Sequence, residues 1–230
     1  MRNFLNNSEY ASITVTMISY LAGVYIQRKY KKKLYNPLVI SIILVMLYLF
    51  IFNISYEKYS SDTKMLTFLL VPVTICLTVP LYENFYLLKK YGKIVIISLL
   101  VGMITNFTLI FFLSKLFCLN YASFINVLSK SVTTSVGVTI SKEYGGNESV
   151  SASIIIITGL IGSILADFIF TKINVENKIA KGIALGTTSH AMGTTKSIEY
   201  GEDAVGVATL CMILAGILTV LSAIFISKIY

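Results

Sequence analysis

Charge is scarce in this chain, and so are the residues that build metal sites and disulfide frameworks. Only 13% of the 230 residues are charged, 56% are hydrophobic and the mean hydropathy is +0.79. That balance lies well off the one expected of a soluble domain, so the excess apolar surface requires lipid. There is a single histidine, and the three cysteines, Cys76, Cys118 and Cys211, sit in apolar stretches without C-x-x-C spacing. Neither a disulfide framework nor a metal site follows, no cofactor is expected, and the cysteines read as small packing residues. The ten-residue alternation of a membrane β-barrel is missing as well. No nucleophile, base and orienting group occur together, which argues against an enzyme.

What the chain does have is long apolar runs. Ile94 to Ser114 carries no charge, and about 20 such residues let a helix span roughly 30 Å of hydrocarbon. The pattern predicts an all-α integral membrane protein forming a single membrane domain, with six spans: Tyr10–Ile26, Leu38–Ile54, Met65–Leu81, Ile94–Ser114, Val150–Phe170 and Ala204–Ile226. The residues fall into N-terminal helices (10–81), two repeat units (94–145 and 150–201) and a final helix (204–226). Pro37 stands where a first helical turn tolerates proline, whereas Pro72 and Pro80 interrupt the third span and predict a kink or break there.

The formal net charge of +8 sits between the apolar runs rather than along a solvated face, so it reads as topogenic charge and not as a nucleic-acid surface. Arg28, Lys29, Lys31, Lys32 and Lys33 predict a cytoplasmic first loop and an N-terminus outside, and Lys89, Lys90 and Lys93 place the third loop inside too. The segment Met1 to Tyr10 lacks a basic n-region, so the first span is expected to be retained.

Two segments, 122–145 and 177–201, are too polar for lipid-facing helices, yet they lie between strong spans. They are also related. Gly137-Val-Thr139-Ile-Ser141-Lys-Glu143-Tyr144-Gly145 and Gly193-Thr-Thr195-Lys-Ser197-Ile-Glu199-Tyr200-Gly201 match at Gly, Thr, Ser, Glu, Tyr and Gly, offset by 56 residues. If each segment crosses fully, the two units are parallel and the basic stretch Lys172 to Lys181 falls outside. If each is a re-entrant hairpin or a broken pair of half-helices, that stretch falls inside as the charge rule prefers, and the repeat is inverted. Irregular backbone at membrane depth survives only where it lines a cavity, so the paired segments point to a site.

The expected tips are Lys130 to Ser135 and Gly186 to Gly193. Small hydroxyls beside a helix start offer donors to an anion, and a carboxylate suits such a nest. The plainer alternative is that these hydroxyls bond back to helix carbonyls. Lys130 has two readings, charge balance in the site or snorkelling to the surface, and His190 has three: proton coupling, a substrate hydrogen bond, or plain packing. Asp167, late in the fifth span, reads as interfacial. The substrate-binding set is Lys130, Ser131, Thr133 and Thr134 in the first tip, and Thr188, Ser189, His190, Gly193 and Thr194 in the second.

With Leu34-Tyr-Asn36-Pro37-Leu38, Pro80-Leu81-Tyr82, Lys130-Ser-Val-Thr-Thr134 and Gly186-Thr-Thr-Ser189-His190-Ala-Met-Gly193-Thr194, the chain resembles the LrgB/CidB family of bacterial membrane proteins nearly end to end. It departs at Ser135 and Val71, where the family commonly has Pro and Gly, and at Asp167. The resemblance implies residence in the bacterial cytoplasmic membrane beside a smaller LrgA/CidA-type subunit, with a homo-oligomer left open. The family has been described as holin-antiholin-like and linked to murein hydrolase export and lysis. A plant plastid relative is a glycolate/glycerate translocator, and bacterial pairs have been associated with pyruvate uptake. A secondary transporter of small monocarboxylates is therefore expected, with a holin-like pore or murein hydrolase regulator as the competing class.

Overall fold

The computed structural model describes residues 9–30, 36–69, 72, 75–76 and 78–226, and all regular structure among them is helical. The chain divides into two compact units, Met1–Val73 and Thr74–Tyr230.

In the first unit, α1 (Glu9–Tyr30) packs on α2 (Pro37–Phe52), with Gly23 close against the Pro37 backbone. Asn36 caps α2 by accepting the Leu38 N–H, and Pro37 occupies the first turn as its sequence position predicts. The chain then bends by 119° into α3 (Tyr56–Asp62). Asp62 is buried and accepts from Ser12 Oγ at 2.8 Å and Lys58 Nζ at 3.2 Å, which ties α3 back to α1. After α4 (Lys64–Phe68), Pro72 is exposed and Pro80 falls in α5 (Thr78–Glu83); the expected third span otherwise runs partly outside the described residues.

The second unit contains the long helices α6 (Phe85–Leu116), α9 (Glu148–Lys172) and α11 (Glu202–Ile226). These three are long and apolar enough to cross a membrane, and the bent pair α2 and α3 makes a fourth if counted as one span. Six spans is thus more than length and hydropathy support among the described residues. The 22-residue α1 is interrupted by Ser, Thr and Tyr, and α2 has only 16 residues. The cysteines also depart from expectation: Cys211 is buried, but Cys76 and Cys118 are exposed, Cys118 at a helix end with φ +50°.

Between the long helices, each polar segment doubles back. The first is α7 (Tyr121–Leu128), a 3₁₀ turn at Ser129–Ser131, extended Val132, and α8 (Thr134–Glu143). The second is α10 (Lys178–Ser197), which is broken at His190, where φ is +48° and ψ −127°. Lys181 Nζ lies 4.8 Å from the centroid of the Tyr200 ring. In a continuous helix those residues would stand about 28 Å apart, so this segment returns to the end it left. The first does likewise, since Asn126 Oδ1 accepts from Ser141 Oγ at 3.1 Å and from the Asn147 N–H at 2.7 Å. Each half-helix rises about 10–18 Å, roughly half of the hydrocarbon thickness. Because each hairpin returns, α6 and α9 run in opposite directions and the repeat is inverted.

The 56-residue offset is visible in the backbone. Cys118 and Asn174 both have positive φ, +50° and +53°, and Gly145 and Gly201 do as well, +79° and +111°. Gly137 presses against Ser129 O and Gly193 against Leu185 O, each a carbonyl eight residues back, and a Cβ on either would collide. Only the reversal brings residues of that separation together, because a helix would hold them about 12 Å apart. Between α10 and α11 the backbones also approach closely, Gly182 on Ala204 and Gly186 on Ala208, the small-residue spacing that packs membrane helices.

Gly137→Ala and Gly193→Ala should each destabilise the purified protein by about 1–3 kcal/mol, the usual cost of overpacking. Gly216→Ala, where an added Cβ meets nothing within 4 Å inside α11, should not lower the melting midpoint and should raise it slightly.

Candidate functional site at the meeting of the two hairpins

The two tips enter the second unit from opposite ends and come together on α6, α9 and α11. A cavity of about 370 Å³ lies there, within the range of small-molecule sites. Its polar wall is Lys130 and Ser131 from the first tip, Thr187 and Thr188 from the second, Asn106 from α6, Thr158 from α9 and Thr219 from α11. Leu99, Met103, Ile161 and Leu218 supply an apolar side.

Lys130 dominates the electrostatics. It is only partly exposed, its Nζ donates to Asn106 Oδ1 at 2.8 Å, and no carboxylate stands within ion-pair distance among the described residues. Asn106 uses its amide N–H on Ser131 Oγ, so one side chain fixes both tip residues. Ser131 thereby keeps its own hydroxyl proton for another acceptor. Thr187 and Thr188 are different: their hydroxyls donate to Ile183 O at 2.7 Å and Ala184 O at 2.8 Å, so toward the cavity they present lone pairs. The donors left on the cavity wall are therefore the Lys130 ammonium and the hydroxyls of Ser131, Thr158 and Thr219.

The remaining residues expected at the site do not line this cavity. Thr133 is the N-cap of α8 without a side-chain cap bond, and Thr134 is the first residue of that helix. Ser189 and His190 are buried behind the cavity, 1% and 3% exposed. Ser189 Oγ fits over Gly162, where a Cβ would collide with it, and Gly193 serves the hairpin reversal. Thr194 Oγ1 donates to His190 O at 3.0 Å. His190 is unusual in two ways: its backbone has positive φ, and neither ring nitrogen has a hydrogen-bond partner, although Lys130 and the Ser131 main chain are near enough to act on it. No group of three or more metal-ligating residues occurs among the described residues.

Asp167 lies away from the cavity, at the base of the second hairpin. It accepts from Lys196 Nζ at 2.9 Å and from Tyr200 OH at 2.5 Å, and Lys196 also bonds Glu199. At the base of the first hairpin the buried groups are neutral, Ser129, Ser141 and Ser151 gathered around Asn126, while Lys142 and Glu148 pair at 3.4 Å on the exposed side. Asn106, Thr158 and Thr219 were not singled out from the sequence. Asn106 had a signal, being the one amide inside the apolar run Ile94 to Ser114.

Asn106→Leu removes the partner of a partly buried ammonium and should cost about 1.5–3 kcal/mol. Asn106→Leu with Lys130→Met should recover most of that loss in the melting midpoint of the purified protein; an equal or larger loss in the double variant would separate the two side chains.

Comparison with known proteins agrees with the family resemblance. No solved structure matches the chain. The holin-like protein CidB of Staphylococcus epidermidis is 33% identical over 207 residues, covering 90% of each chain, and CidB of Staphylococcus aureus gives the same figures. The antiholin-like protein LrgB of Bacillus cereus is 31% identical over 212 residues, 92% of each chain. The profile of the LrgB-like family matches residues 16–229, which takes in both hairpins, the cavity and all three long helices of the second unit: this chain belongs to the LrgB-like family.

Proposed function

We propose that this chain is a component of a holin-like system of the bacterial membrane and governs the passage of a small solute between its two hairpins. The holin-like part rests on the names of the relatives, which are similar over nine-tenths of their length. It fits a role in controlling murein hydrolase export and lysis beside a smaller LrgA/CidA-type subunit. The hairpin part rests on geometry, and there a second, narrower reading has an observation in its favour.

That observation is Lys130. An ammonium at membrane depth that lacks a carboxylate calls for an anion, and the cavity at its head has room for one small organic acid. The narrower reading is therefore carriage of a small monocarboxylate, of the pyruvate, lactate, glycolate or glycerate class. The carboxylate docks on Lys130 Nζ and Ser131 Oγ, and the carbon skeleton lies against Leu99 and Met103. A wide, unselective pore has no use for a cation fixed in a small cavity. By the bias of Lys and Arg, the end of the second unit that carries Lys89, Lys90, Lys93, Lys172 and Lys178 faces the cytoplasm.

Flux of labelled acids into proteoliposomes, with and without an LrgA-type subunit, separates the readings. Carriage predicts saturable uptake that Lys130→Met lowers by about ten-fold or more, the equivalent of one lost charge-assisted hydrogen bond. Size-unselective release of large neutral solutes, unchanged in Lys130→Met, would favour the pore and discard the carboxylate site.

A further inference from the structure

His190 concentrates two costs at one residue. Its backbone holds φ +48° and ψ −127°, a region that residues with a Cβ rarely adopt, and its side chain is buried with neither ring nitrogen hydrogen-bonded. A buried polar group without a partner costs free energy, and backbone strain of this kind persists where function needs the geometry. The ring also stands where the tips meet. Lys130 and the Ser131 main chain, both of the first hairpin, are near enough to act on it.

Charge around the ring is sparse. α10 packs against α6, α9, α11, the turn that bears Lys130 and the turn Ile198–Tyr200. α6 has no charged residue from Ile94 to Ser114, α9 none from Ser149 to Ala166, and α11 none from Ala204 to Ile226, where the buried Cys211 thiol is the titratable group. Past the break, Lys196 is held by Asp167 and Glu199 at the hairpin's base, and Tyr200 bonds Asp167 there. That leaves Lys130, whose Nζ bonds the neutral Asn106 and meets no carboxylate among the described residues. A protonated His190 would be a second cation beside this ammonium, which burial and repulsion both oppose. An anion on Lys130 offsets the repulsion, and the Ser131 carbonyl can accept from an imidazolium N–H.

We infer that His190 binds a proton together with an anion at Lys130: the negative charge that offsets the ammonium also lets the imidazole become charged. The linkage is reciprocal. The anion therefore binds more tightly as pH falls and His190 fills, and that gain is lost as pH rises through the loaded site's midpoint. The identity of the anion rests on the carboxylate reading above, but the test does not, because a carboxylate can be built in. Asn106 Oδ1 already accepts from Lys130 Nζ at 2.8 Å, so Asn106→Asp places a negative charge there without any ligand. His190 is the single histidine of the chain, so the ring-nitrogen NMR shifts of histidine-labelled protein, purified on a tag free of histidine, report it alone.

Wild-type protein without ligand should keep a neutral ring down to about pH 5. Asn106→Asp and Lys130→Met should each bind the proton about ten-fold more tightly or better, and saturating pyruvate should do the same in wild type. If Asn106→Asp does not yield folded protein, Lys130→Met carries the comparison. A ring that is equally neutral or equally charged in wild type and the variants would overturn the linkage. So would pyruvate that binds, by calorimetry, without protonating the ring. Variants that shift the ring while pyruvate fails to bind would support the linkage and remove the carboxylate reading, so the two fail separately.

Discussion

Gly137 and Gly193 each let the outgoing half of a hairpin press on a carbonyl of the incoming half, and the architecture of the second unit depends on that contact. With a side chain at either position the halves would splay, and the tips would not reach the level of α6, α9 and α11 where the cavity lies. Backbone that leaves the helix at membrane depth must find partners within the protein. Here the break is confined to Val132 and Thr133 in one hairpin and to His190 in the other, so few backbone groups are released. Close packing of Gly182 and Gly186 on α11 then holds the second hairpin at short distance.

The two copies share a backbone but differ in how their bases are fastened. Around the first, neutral Ser129, Ser141 and Ser151 converge on buried Asn126 and exchange hydrogen bonds of 2.8 to 3.1 Å. Around the second, buried Lys196 bridges Asp167 and Glu199, whose side chains are 34% and 53% exposed. The charged fastening sits at the end of the unit where α10 and α11 begin. Lys130, which has no carboxylate within ion-pair distance among the described residues, is carried by the first hairpin, and its orientation comes from Asn106 on the neighbouring span. Fixed charge at the tip and a charged latch at the other hairpin's base are thus separated between the two halves of the repeat.

Much of this was legible in the sequence because the repeat wrote its own spacing. The window from Gly137 to Gly145 and its copy from Gly193 to Gly201 gave the 56-residue offset, which the backbone repeats at Cys118 and Asn174, residues with no chemical likeness. Asparagine caps at Asn120, Asn147 and Asn177 fix where the helices around the hairpins begin. The cavity wall was less legible. Lys130, Ser131 and Thr188 belong to the tip motifs, but Asn106, Thr158 and Thr219 reach the cavity from separate helices. The face a residue takes on a uniformly apolar helix is set by its neighbours and not by its own periodicity. Thr133, Thr134, Ser189 and His190 lie one to three residues from the lining positions, and the 3₁₀ turn and the break at His190 turn them elsewhere.

Both polar segments return to the face they leave. Single cysteines at Asn177 and Glu202 bracket the second hairpin, and single cysteines at Leu119 and Asn147 bracket the first. In sealed vesicles, a membrane-impermeant maleimide should label Asn177→Cys and Glu202→Cys from one face and Leu119→Cys and Asn147→Cys from the other. Labelling of Asn177→Cys and Glu202→Cys from opposite faces would make that segment a full crossing and contradict the inverted repeat.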